Sequence, residues 1–467
     1  MHSSWWICVP LTLLASAGLV AQISPPPASA AREGTLLITG VAIVDAVRGT
    51  TSAPQDIVVE GGRIATIAPT GTVSAPSGAT RVDGTGRFAI PGLIDVHAHV
   101  GEGGIGPQDD TTRARALRQF LRYGVTTIFV PGATGAGDAA FPELRQQCHS
   151  RAIDCPGLYG TGSILTAPGS HPVSTIFGMP NDVAPEIVES RGVTILRPGR
   201  DIDALIAAKA AAGVDAIKII VEDGPPPWYP KPRLDDEQIA NVIAAAHARS
   251  LPVFAHISTS RLTRVAVEAG IDGIMHGPLD ALPEDVIERM AQRRTWYVPT
   301  LSLYDGILTW ARKQRESDPY ALTGVEPSAI ESLTAPSFLA SAAENEAGAL
   351  EYLRHASENL RRAAAAGVPI ALGTDVNNPF VFPGYSAHEE LALMVRAGLT
   401  PGQAVKAGTA AAAAFLRASD RIGAIAPGLE ADLVLLSRNP LERIENSRSI
   451  VAVIADGRLI EQIVAAR

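Results

Sequence analysis

The sequence predicts an α/β protein: a (β/α)8 TIM-type barrel carried on a small β-sandwich domain to which both chain ends contribute. Three observations predict it. Short apolar runs alternate with amphipathic, alanine-rich stretches through the middle of the 467 residues. β-type segments punctuated by turn residues stand at both ends of the chain. Several of the central apolar runs close on a histidine or aspartate, and one carries a lysine, as barrel strands do when their C-terminal ends build a site. The length suits one large barrel plus a small partner domain. A hydrophobic content of 46% against 19% charged residues allows a large core and argues against global disorder. The net charge of −9 argues against a general nucleic-acid binder, which carries a basic face.

Residues 1–30 read as an export signal. Trp5 to Val20 is apolar and uncharged, Ser24-Pro25-Pro26-Pro27 breaks it, and Ala28-Ser29-Ala30 fits an A-x-A cleavage site. The leader lacks Lys and Arg, so an uncleaved anchor is the alternative, disfavoured because the apolar run is short for a span. The mature chain is expected to begin near Ala31, to be periplasmic or extracellular, and to have no membrane contact after signal removal. Cys8 lies in the leader. Cys148 and Cys155 remain, and after export both a disulfide and two free thiols are open.

Residues 31–88 form the N-terminal part of the β-sandwich. TLLITGVAIVD, QDIVVEGGRIATIAP and ATRVDGTGRFAI are short β-elements, with Gly61-Gly62 as a hairpin cue. ADLVLLSRNP and SIVAVIADGRLI repeat that character in residues 421–467, the C-terminal part. Residues 89–420 form the barrel. Its strands are expected at Ile90–Val96, Val125–Val130, Gly157–Gly162, Ala216–Val221, Pro252–Ile257, Gly273–His276, Trp296–Thr300 and Pro369–Thr374. Helices over Asp203–Ala212, Asp236–Arg249 and Pro283–Arg293 lie between them, so the strands run parallel. The long connection at residues 302–367 is helix-compatible and placed to lid the active-site face.

His97 and His99 close the first strand at i and i+2, on one face, and imidazole is a common ligand for zinc-like ions. Lys218 lies in the fourth strand, His256 and His276 close the fifth and sixth, and Asp375 follows the eighth. Singly these are ordinary residues: a half-buried histidine, or an Asp that caps a helix. Lys218 is the exception, because an ammonium between Ile217 and Ile219 in a doubly covered strand is costly to bury. It needs a partner, a depressed pKa or a modification. Taken together, the groups point at one end of one barrel. His149, His247 and His355 fall in helical stretches and read as surface or packing residues.

The chain resembles the amidohydrolase superfamily in PGLIDVHAH at 91–99, Lys218, His256, MHG at 275–277, GTD at 373–375 and the tail GAIAPGLEADLVLLSRNPL from Gly423. The resemblance implies a hydrolytic site with two divalent metal ions, zinc the first choice, bridged by carboxylated Lys218. It implies that His97, His99 and Asp375 hold the more buried ion and His256 and His276 the more exposed one. It implies attack by hydroxide held between the ions, with Asp375 as the catalytic proton shuttle. Segments such as AHARSLPVFAH and AGIDGIMHG are similar to the prolidase-like and imidazolonepropionase-like branches. The first of these implies a small-molecule substrate, a dipeptide or N-acyl-amino-acid amide bearing a carboxylate, ochratoxin-type amides included. His171 and Tyr229, on rim loops, are the candidate substrate-binding residues; either also reads as an ordinary loop residue. His388 and Glu389 are similar to a rim motif of relatives and carry no assigned role. A weakly held homo-oligomer is expected. The alternatives are a one-metal cyclic amidase or deaminase, a lactonase or phosphotriesterase, and a non-catalytic metal-binding protein.

Overall fold

In the computed structural model, the residues described are 34–100, 110–132, 137–174, 184–223, 230–325, 327–376, 378 and 380–460, with the side chains of 110, 137–140, 185 and 328 left out. The expected signal peptide and Tyr229 lie outside them. No helix among the described residues is long and apolar enough to cross a membrane.

The two chain ends meet in one hydrogen-bonded sheet. Its order is Arg458–Ile460, Ile450–Ala455, Leu433–Leu436, Phe88–Pro91, Leu36–Asp45, Thr50–Glu60 and Arg63–Pro69, with Thr80–Asp83 also paired to Leu36–Asp45. The long strand Leu36–Asp45 has two register irregularities, and it pairs first with Thr80–Asp83 and then with Phe88–Pro91. Bulges of this kind bend a strand. Side chains from both halves of the sheet, among them Ile38, Ile57, Ile64, Leu433, Leu435 and Ile454, therefore share one core. A single folded sheet makes both layers of the sandwich.

Barrel strands are found at Leu93–Asp95, Val125–Val130, Gly157–Gly160, Ile217–Val221, Val253–Ile257, Gly273–Met275 and Trp296–Val298, and their pairings are parallel. Ile217–Val221 is buried at every position, as a strand covered on both faces must be. The eighth position is extended but not a regular strand. Tyr297 N donates to Pro369 O, Val96 N to Leu372 O and Asp375 N to His97 O, so this segment still closes the barrel between the seventh and first strands. Gly373 permits that approach, because a Cβ there would stand 2.7 Å from His97 Cβ and 2.5 Å from Val298 Cγ1.

The third strand departs most from expectation. It breaks after Gly160, resumes at Ile164–Thr166 and gains an extra partner, Val193–Ile195. Lys209 in the helix Ile202–Ala211 fixes the break: its buried Nζ donates to Thr161 O, Ser163 O and Ser163 Oγ. Residues 302–367 are largely helical, with Leu301–Ala311 and Glu346–Ala365 the longest helices. Trp310, Tyr385, Phe382 and Leu333 join them in a separate apolar cluster. Cys148 and Cys155 are joined in a disulfide.

Candidate metal centre

The first barrel strand, Leu93–Asp95, runs into His97, which is buried, and His99, which is partly exposed. His97 Nε2 lies 3.3 Å from Asp375 Oδ1, and His99 Nε2 lies 3.2 Å from the same oxygen. The ligand atoms of His97, His99 and Asp375 all fall within 4.8 Å of one another. Buried Asp95 locks this geometry. Its carboxylate accepts from His97 N at 3.0 Å, Thr374 N at 3.1 Å and Thr374 Oγ1 at 2.6 Å, so one side chain ties the ends of the first and eighth strands. On the second oxygen of Asp375, Asn378 Nδ2 donates at 2.9 Å.

The other predicted residues face this group. The His276 ring centroid stands 4.7 Å from that of His97 and 4.5 Å from that of His256. His171 stacks on His256 at 4.5 Å with an interplanar angle of 18°. Lys218 is 2% exposed, and its Nζ contacts Met275 Sδ at 2.9 Å. Among the described residues it makes no ion pair. The structure thus brings together His97, His99, Lys218, His256, His276, Asp375 and His171. It does not include His388 or Glu389. The His388 ring bonds Ser447 Oγ and Tyr123 O in the interior, and Glu389 pairs with Arg315.

Backbone strain collects at the same strand ends. His276, Thr300 and Asp375 have φ of 77°, 48° and 59°. Such conformations cost of order 1–3 kcal/mol each outside glycine and persist where surroundings impose them. His276 N donating to Val298 O and Asp375 N donating to His97 O supply part of that constraint.

The protonation states suit a cation. Burial, then the nearby Lys218, lowers His97 to about 3, and burial holds His276 well below its ordinary value. Burial alone would raise Asp375, but the neighbouring His97 and His276 rings and hydrogen bonds from His97 and His99 hold it well below the usual carboxylate range. Burial lowers Lys218 to about 7, against a smaller opposing pull from Asp375. Neutral imidazoles and an ionised carboxylate are the forms that ligate a divalent ion. Among the described residues His97 Nδ1 is buried without a hydrogen-bond partner, while its Nε2 faces the cluster. The donor set fits a metal.

Sequence reasoning missed Glu222, Asp95, Thr300 and Asn378. Glu222 follows the fourth strand, is buried, and touches His256 Nε2 through Oε2. Burial would raise its carboxyl, yet His256 outweighs that and it stands at about 2. Its spacing of four from Lys218 puts both on one face of the strand, a period-two signal available in the sequence.

Comparison with known proteins gives the same assignment. Ochratoxinase from Aspergillus niger is 25% identical over 415 residues, covering 80% of this chain and 75% of that protein. Imidazolonepropionase from Micrococcus luteus is 26% identical over 422 residues, covering 86% of this chain and 92% of that protein. The crystal structure of a putative prolidase from Bifidobacterium longum superposes with a TM-score of 0.71 at 26% identity, covering 93% of this chain and 96% of that one. The amidohydrolase family signature matches residues 88–460, from the last strand before the barrel to the end of the closing sheet, and it takes in every member of the cluster above. This chain belongs to the amidohydrolase family, a family of hydrolases that generally depend on metal.

Proposed function

We propose that this chain is an exported, binuclear metal-dependent hydrolase that cleaves the amide bond of a dipeptide or N-acyl-amino acid. The observation that carries the reading is a buried lysine beside the donor cluster. Lys218 is 2% exposed and near enough to His97, His276 and Asp375 to act on them electrostatically. An unpaired ammonium at that place is costly, and carboxylation by carbon dioxide converts it into an anion able to span two cations. His97, His99 and Asp375 would hold one ion, His256 and His276 the other, and carboxylated Lys218 both; zinc suits the nitrogen and oxygen donors. When bound, such ions supply Lewis-acid polarisation of a carbonyl and acidify water.

The chain's own groups handle the proton. Asp375 Oδ1 receives the two strand-one histidines, and Asn378 fixes Oδ2, so the carboxylate keeps one orientation while it accepts a proton and returns it to the departing amine. No Ser or Cys nucleophile is required. His171, stacked on His256, would donate to a substrate carboxylate. Support for the substrate class comes from the prolidase-like fold relative and from ochratoxinase. Support for export comes from the leader alone.

A one-metal cyclic amidase is the second reading. It is favoured by the match to imidazolonepropionase and by the compactness of the His97, His99 and Asp375 group, which could hold an ion alone. A panel of dipeptides, N-acyl-amino acids, ochratoxin-type amides, cyclic amides, lactones and phosphotriesters, run with metal quantification, decides. Turnover confined to carboxylate-bearing linear amides with two ions per chain is expected. Turnover confined to cyclic amides with one ion would overturn the proposal.

A further inference from the structure

The histidines at the mouth differ in which ring nitrogen is already engaged. His99 Nδ1 lies 3.3 Å from Gly132 O, which leaves Nε2 facing Asp375. His276 Nδ1 lies 3.0 Å from Thr300 Oγ1, closer than its 3.9 Å to Asp375 Oδ2, which leaves Nε2. His256 is reversed: its Nε2 is the engaged atom, and Glu222 is the partner. An ionised carboxylate only accepts, so His256 must donate Nε2–H, and the remaining lone pair is on Nδ1.

We propose that Glu222 is the positioning residue for the second ion: it fixes His256 in the form that offers Nδ1. This rests on the binuclear reading above. Three contacts set the ring. Glu222 holds its edge, His171 stacks on one face at 4.5 Å, and the His276 ring meets it at 68°. Rotating His256 by half a turn would bring Nε2 toward the ion and would break the Glu222 contact, leaving a buried carboxylate without its partner. Among the described residues Glu222 is outside the group of converging ligand atoms, which is formed by His97, His99 and Asp375. Its negative charge also makes the imidazole a stronger donor, as carboxylate partners of metal-bound histidines do. The first ion has no such carboxylate behind a ring: His99 Nδ1 bears on Gly132 O, and Asp95 holds His97 through its backbone N.

The test compares wild type with Glu222→Gln, Glu222→Asp and Glu222→Leu, loading each with Co2+ or Zn2+ and titrating against a chelator, with the Co2+ visible spectrum as a second readout. The expected result is two ions in wild type. In Glu222→Gln and Glu222→Leu the second ion should bind about 10–100-fold more weakly, with the first unchanged within about twofold, and Glu222→Asp should recover part of the loss. The unchanged first ion certifies that the variants are folded. Two ions in wild type with second-ion affinity unchanged in Glu222→Gln and Glu222→Leu would overturn the Glu222 role while leaving the binuclear reading intact. A single ion in wild type would overturn the binuclear reading and the inference with it.

Discussion

On one side of the barrel mouth, His97, His99 and Asp375 are held by main chain. Asp375 N bonds His97 O, Val96 N bonds Leu372 O, and Asp95 clamps Thr374 to His97. On the other side, Lys218, His256 and His276 are spread over three neighbouring strands, and side chains orient them: Glu222 behind His256, and Thr300 behind His276. The first group is complete as translated, with three ligand atoms already within 4.8 Å. The second contains a lysine whose ordinary form repels a cation. On the proposed binuclear reading, one half of the site is set by folding, and the other waits on carboxylation of Lys218.

The largest expected effect breaks the first half. With the metal content matched to wild type, Asp375→Asn should lower turnover by about 10²–10⁴-fold or more, because it removes the proton carrier. Near-normal turnover in a metal-replete variant would reject that role. In the second half, Lys218→Ala should lose the second ion and most activity, and acetate or propionate should restore part of it by supplying a small bridging carboxylate. Lys218→Arg should show no such recovery, since guanidinium remains cationic. Activity assays with and without added acid check this.

Smaller effects sharpen the contrast. Asp95→Ala strands three donors in the interior and should cost roughly 3 kcal/mol in urea unfolding, with weaker first-ion binding, given about 1–3 kcal/mol for each unsatisfied buried group. Unchanged stability would mean that main chain alone sets the first half. The metal-free protein should also report Lys218 directly. Burial lowers its folded pKa to about 7 from an ordinary 10.5. Between these values the unfolded chain binds the extra proton, so stability rises with pH over that window, at up to about 1.4 kcal/mol per unit. Below about pH 7 the slope vanishes, because both states are protonated. Lys218→Met should abolish that slope; an equal pH slope in both proteins would show that burial does not depress the Lys218 pKa.

The first half was more legible in the sequence than the second. HxH after an apolar run, and Asp after GT, are local patterns whose geometry follows from strand periodicity. The barrel itself followed from alternation. Glu222 was not read, because its meaning depends on a histidine in the next strand, although its phase with Lys218 was visible. In sequence Thr300 reads as the end of a strand; its left-handed backbone and its contact with His276 come from tertiary packing. The strand Val193–Ile195 went unread because three residues carry too little periodicity, and the break at Thr161–Ser163 depends on Lys209, which sits in a helix some forty residues on.

In the proposed site Lys218 carries a carboxylate that joins two ions. The most direct measurement is ¹³C NMR of protein loaded with metal in ¹³C-bicarbonate, with ions counted on the same sample. A carbamate resonance and two ions per chain are expected, with both the resonance and the second ion lost in Lys218→Ala. A fully active protein with no carbamate resonance and one ion per chain would contradict it.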